Sequence, residues 1–121
     1  MRAARTPKPA PEASKPEPSN RRSVLLEAAD LVDGDRNNQY GDPIGDFRCT
    51  ADMWAAYLRR KANVPADFTL DPHDVASMMS LLKISRIGWS PNKRDHWADL
   101  AGYAACGYDC SVRQNATEGQ A

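Results

Sequence analysis

Apolar side chains recur three and four positions apart in four separate segments of this chain, and no stretch alternates apolar with polar for long. That period matches the turn of an α-helix and not the two-residue repeat of a strand. The pattern predicts an all-α fold, a small bundle of four main helices with disordered termini. At 121 residues the chain has room for one such domain. Its 41% apolar content supplies a modest core.

The first helix is expected to open at Ser23, a good N-cap, and to run to about Asp33. Val24, Leu25, Ala28, Leu31 and Val32 share one stripe, with Glu27 and Asp30 one turn apart beside it. Gly34 ends the helix, and the run from Asp33 to Pro43 is dense in turn formers. A second helix opens near Pro43 and carries Ile44, Phe47, Ala51, Trp54 and Leu58, closing on Arg59, Arg60 and Lys61. After a connector over 62–71, Asp71 caps a third helix with Pro72 in its first turn, reaching about Ile87. The fourth is expected over about Asn92 to Tyr108 and is rich in alanine and glycine, small enough for another helix to approach closely.

Charge is balanced overall, 16 basic against 16 acidic residues, which argues against a protein that simply coats nucleic acid or a membrane. The balance hides an asymmetry. Residues 1–22 carry five of the nine prolines and six basic against two acidic residues, and read as a disordered basic leader. The rest carries 10 basic and 14 acidic residues. The helical domain is expected over 23–112 and a frayed tail over 113–121. Nucleic acid is an unlikely partner, except through weak contact with the leader. No apolar run is long enough to span a bilayer, and the opening residues lack the apolar stretch of a secretory signal. A cytoplasmic location is the expectation. Three cysteines, an odd number, are expected to be reduced thiols, and their spacing with His73 and His96 matches no zinc motif.

One anomaly points toward chemistry. On the third helix Val75, Met79 and Leu82 define an apolar stripe; Arg86 falls in its middle and Lys83 at its border. A cation facing a core must be paired or must reach a polar cavity. Asp95 and Asp99, one turn apart on the fourth helix, are its natural partners. Carboxylates converging from neighbouring helices, Glu27, Asp30, Asp95 and Asp99, could hold Mg²⁺, with Lys83 and Arg86 on phosphate oxygens. Arg36 and Tyr40, in the turn-rich loop, could seat the rest of a nucleotide. The alternative reading makes the carboxylates solvated surface and Arg86–Asp99 a structural ion pair. The loop's Asp33, Asp35 and Asn37 start like a calcium-binding EF-hand, but Asn38 and Ile44 stand where its glycine and glutamate belong.

Four blocks carry a resemblance: Leu25 to Arg36, Tyr40 to Pro43, Asp74 to Arg86, and Trp97 to Ala105. Together they resemble a family of small phage and prophage proteins, frequent in phages of actinobacteria, known as a domain of unknown function. More distantly the chain is similar to phage nucleotide-modification-associated domains and to MazG-like all-α nucleoside triphosphate pyrophosphohydrolases. That likeness implies Mg²⁺ held by paired acidic residues on neighbouring helices. Glu27 with Asp30 would stand for one pair and Asp99 for the aspartate of the other. The chain departs from the pattern at His96, where a glutamate is expected, so Asp95 would substitute one position out of register. The resulting expectation is a nucleotide-binding protein, catalytic if the site is intact, and a homodimer suggested by the small-residue fourth helix and by Trp54, Trp89 and Trp97. A non-enzymatic helical module engaging a host or phage partner is the alternative.

Overall fold

The computed structural model describes residues 17–34 and 39–119, which form four α-helices and no strand. They are α1 (Asn20–Asp33), α2 (Pro43–Lys61), α3 (Pro72–Trp89) and α4 (Arg94–Gly119). The starts of α2 and α3 follow the sequence signals. Pro43 and Pro72 occupy the first turns, where a missing N–H costs nothing. Asp42 caps α2 by accepting from the Ile44 N–H at 3.4 Å. On α3 the Asp74 carboxylate reaches back to the Asp71 N–H at 2.7 Å.

Two boundaries differ from the reading of the sequence. α1 begins one turn before Ser23, because Ser19 is the cap and its hydroxyl accepts from the Arg22 N–H at 3.1 Å. Asn20, Arg21 and Arg22, which sequence placed in the leader, are therefore helical; residues 1–16 lie outside the described residues. α4 runs on from Tyr108 to Gly119, through residues assigned to the frayed tail. Two side chains there reach other elements: Arg113 binds Asp42, and Gln114 donates to Asp71 Oδ1 at 2.9 Å.

α4 is the hub of the fold. It packs along α3, supports α1 and meets α2 over a short stretch; α2 also packs on α3, while among the described residues α1 closely approaches no helix but α4. The small residues of α4 serve these internal contacts. A Cβ built at Gly107 would lie 3.0 Å from the Cβ of Ala76 on α3, and one at Gly102 would lie 3.6 Å from Val32 on α1. Phe47, Ala51, Val75, Ala76 and Cys110 form the buried centre, with Ile44, Trp54, Leu70, Met79 and Tyr103 packed on it. The Phe47 and Tyr103 rings meet at 6.3 Å between centroids, tilted by 32°. Arg48 and Arg59 of α2 tie down the connector by donating to the carbonyls of Leu70 and Phe68. Among the described residues no helix is long and apolar enough to cross a membrane.

The inward face of α3 is the main correction to the helical-wheel argument. Val75, Ala76 and Lys83 are buried, whereas Arg86 is exposed and Leu82 is 39% exposed. The face is rotated toward Lys83 because Ala76, with its small side chain, is where α3 and the Gly107 turn of α4 come together.

Candidate functional site

Lys83 is the buried charged residue among the described residues, 8% exposed. Its ammonium Nζ lies 2.8 Å from Asp99 Oδ2 on α4, with the two side chains 10% and 16% exposed. The register that buries Ala76 and Lys83 on α3 brings the amine onto the α4 turn carrying Asp99, beside fully buried Ala98. At that distance and burial the pair is a charge-assisted hydrogen bond, shielded from most solvent screening. Sequence named Lys83 and Asp99 as partners, but it also placed Arg86 inside. The structure gives Arg86 to solvent, so the expected Arg86–Asp99 pair is replaced by Lys83–Asp99.

Asp99 also faces a cleft of about 550 Å³. Leu31 and Val32 from the end of α1 form one wall, and Pro43, Asp46 and Phe47 from the start of α2 form another. Gly102 and Tyr103 of α4 make the floor, and Gln39, Tyr40 and Gly41 form the lip. Gly41 has φ +81°, a left-handed conformation that turns the chain between Tyr40 and the Asp42 cap. The size lies within the usual range for small-molecule sites. The lining combines aromatic faces, a carboxamide and two carboxylates, Asp46 and Asp99.

The lip is held from outside by Arg113. Its guanidinium makes two parallel bonds to Asp42, at 2.7 and 2.9 Å, and a third to Asp109 at 3.3 Å. That fork holds the Asp42 carboxyl below its ordinary pKa. Burial instead pushes the Cys110 thiol up to about 11.

The other predicted site residues are spread out. Glu27 is engaged by Arg94, whose Nε lies 3.4 Å from Oε2 and whose Nη2 donates to Ser23. Asp30 and Asp95 are exposed and do not line the cleft. Tyr40 does line it, 65% exposed. Arg36 lies outside the described residues, in the segment 35–38 that joins α1 to the cleft lip. Among the described residues, the acidic and histidine side chains that gather within one cation's reach are Asp71, His73 and Asp74, not the predicted quartet. Asp71 and Asp74 there already serve the fold: Asp74 accepts the Asp71 N–H, and Asp71 accepts from Gln114.

Sequence reasoning missed Asp46, Arg113 and Gln114. Asp46 reads as an ordinary first-turn acid complementing the helix dipole. Arg113 had a usable signal, since Asp109 and Arg113 stand one turn apart and extend the helical pattern past Tyr108.

Comparison with known proteins adds the family. The sequence profile of a family described as Domain of unknown function (DUF6378) matches residues 23–111. The chain belongs to that family. The match takes in the cleft and the Lys83–Asp99 pair, so within DUF6378 the site is part of the shared region and not an appendage. Two curated phage proteins are similar. The Gene 55 protein of Mycobacterium phage D29 is 37% identical over 84 residues, 69% of this chain and 50% of the relative. The Gene 55 protein of Mycobacterium phage L5 is 39% identical over 82 residues, 68% of this chain and 48% of the relative. The chain thus spans about half the length of the curated relatives it matches. No solved structure matches the chain. All four sequence blocks that resemble a phage domain of unknown function lie within the matched residues.

Proposed function

We propose that this protein binds a nucleotide in the cleft between α1, α2 and α4. One observation carries the reading: the Asp99 carboxylate, held by a buried lysine, faces a cleft of nucleotide size whose lip is aromatic. Tyr40 offers a π-face on which a base can stack, and Gln39 offers both a donor and an acceptor to its edge. Asp46 and Asp99 are hard oxygen donors of the kind that suit Mg²⁺, which usually reaches such sites with water and phosphate oxygens still attached. Bound magnesium would offset the negative charge of the phosphates.

The quartet Glu27, Asp30, Asp95 and Asp99 does not fit a single ion, because Glu27 is drawn to Arg94 while Asp30 and Asp95 stand in solvent. Pyrophosphohydrolysis on the MazG pattern is the enzymatic form of this proposal, and it asks for Glu27 or Asp30 to join Asp99. Binding is the part the cleft supports. A second reading, a helical interaction module, is favoured by the apolar side chains exposed along α3.

The deciding experiment is a panel of nucleoside mono-, di- and triphosphates with Mg²⁺, read by thermal shift and calorimetry, with pyrophosphate release measured in parallel. A bound nucleotide at 100 times its Kd would stabilise the fold by ~2.7 kcal/mol. Asp46→Asn, an exposed change that gives up only a first-turn charge at the α2 dipole, should abolish that rise while lowering the unliganded melting temperature by no more than about a few degrees. No rise with any nucleotide at millimolar concentration would overturn the proposal.

A further inference from the structure

A surface helix ordinarily turns its apolar stripe inward and its charge outward. α3 does the first and not the second. Its outward positions carry Met78, Leu81, Leu82, Ile84 and Trp89, which are 38%, 65%, 39%, 52% and 90% exposed. Between them stand only Ser77, Ser85, Gly88 and one charge, Arg86, all exposed. Met78, Leu81, Leu82, Ser85 and Trp89 recur at three- and four-residue spacing, so four large side chains line one continuous strip about the small Ser85. A helix that is apolar on both faces is one that is covered on both faces.

We infer that a second copy of this chain covers the strip, the two α3 helices packing antiparallel about a two-fold axis near Leu81 and Leu82. The area suits that occupant. The four large side chains of the strip present roughly 500 Å² per copy, and the small residues and Arg86 around them bring the face toward the ~800 Å² per partner of a standard interface. The charges suit it too. The strip has Asp74 toward its N-terminal end and Arg86 toward its C-terminal end. An antiparallel two-fold pairing brings each arginine within a turn of the other copy's aspartate, whereas a parallel pairing sets like charges side by side. With the axis between Leu81 and Leu82, Met78 falls opposite Ser85, so a large side chain meets a small one. A two-fold interface must be self-complementary in this way.

This inference is independent of what occupies the cleft, and it places the dimer contact on α3, not on the small-residue α4 to which sequence pointed. Sedimentation or light scattering of the full chain should give twice the chain mass at micromolar concentration. Leu81→Glu, at a position already 65% exposed, should weaken association by tenfold or more while leaving the helical circular dichroism of the monomer unchanged. In a Cys49→Ser background, Leu81→Cys should cross-link to its own copy on mild oxidation, and Trp89→Cys should not. A wild-type chain that stays monomeric at 100 times that concentration would overturn the inference. So would a dimer indifferent to Leu81→Glu, one dissociated instead by Leu25→Glu on α1, or cross-linking at Trp89→Cys as efficient as at Leu81→Cys.

Discussion

Replacing Lys83 by methionine tests the centre of the site most directly. Methionine keeps the length and most of the apolar stem of lysine, so the change removes a charge more than it removes volume. At 2.8 Å and an effective dielectric near 20, the two charges attract by about 6 kcal/mol, against a desolvation cost of several kcal/mol for each ion. The intact pair therefore adds little net stability, and its value lies in neither charge being left alone. Lys83→Met takes the buried ammonium away from an Asp99 carboxylate that is only 16% exposed. Breaking a buried pair costs about 3–5 kcal/mol, and the residual water at Asp99 puts the expectation at the low end, about 3 kcal/mol. In a domain of this size that lowers the melting temperature by roughly 10–20 °C. Lys83→Met with Asp99→Leu removes both charges and should return to within about 1.5 kcal/mol of wild type. Urea denaturation followed at the helical circular dichroism band, with both single variants and the double, closes the cycle. A Lys83→Met cost under about 1 kcal/mol, or a double variant as costly as the two singles together, would mean that the amine and carboxylate are not coupled. If nucleotide binding is also measured, the double variant should regain stability but not affinity, because Asp99 is gone.

Other expectations follow from single contacts. Gly107→Val places a branched side chain where even a Cβ sits 3.0 Å from Ala76, and should cost about 2–3 kcal/mol by prising α3 from α4, with Ala76→Gly restoring part of it in thermal melts. Gly41→Ala should cost about 1–2 kcal/mol from the φ of +81° alone, since nothing crowds its Cβ position. The buried Cys110 thiol, pushed up to about 11, should resist a thiol reagent at pH 8 until the protein unfolds, while exposed Cys49 reacts at once. The Asp42 carboxyl is held below its unfolded value of 3.8. Its contribution to stability is present above that pH and is lost as the pH falls through the lower folded value. An NMR titration should place its midpoint under 3.8 and return it toward that value in Arg113→Gln.

How far the sequence carried is best seen on α3. Periodicity found the helix and its cap, because Asp71, Pro72 and the apolar spacing are local signals. It misjudged the inward direction by part of a turn, because alanine counts for little in an apolar stripe and yet Ala76 is what α3 sets against Gly107 of α4. That error exchanged Lys83 for Arg86 at the core. The pair itself was legible, since a cation on an apolar face and an aspartate on the next helix constrain each other whatever the exact rotation. The predicted metal quartet was not, because three- and four-residue spacing says which carboxylates share a face of one helix but not whether two helices turn those faces toward each other. Glu27 shows the limit: it does meet α4, but at Arg94 and not at Asp99.

The same physics bears on the apolar face of α3. A wheel with large apolar residues on most of its sides cannot distinguish a helix buried within one chain from a helix shared between two, because both remove the same surface from water. The distinction depends on how many neighbours a helix has. Among the described residues α3 has two, α2 and α4, which together cover the side bearing Val75, Ala76 and Lys83 and leave the side bearing Leu81 and Trp89 exposed. The exchange of Arg86 for Lys83 then has a second consequence. With lysine turned inward to Asp99, the arginine is left at the rim of the open face, where its planar, forked donors suit a carboxylate across an interface better than an ammonium would. Arg86→Lys should therefore leave the fold and the Lys83–Asp99 pair untouched and still weaken self-association in sedimentation. Arg86→Lys that dimerises as tightly as wild type would remove the arginine from the contact and leave the apolar strip to hold it alone.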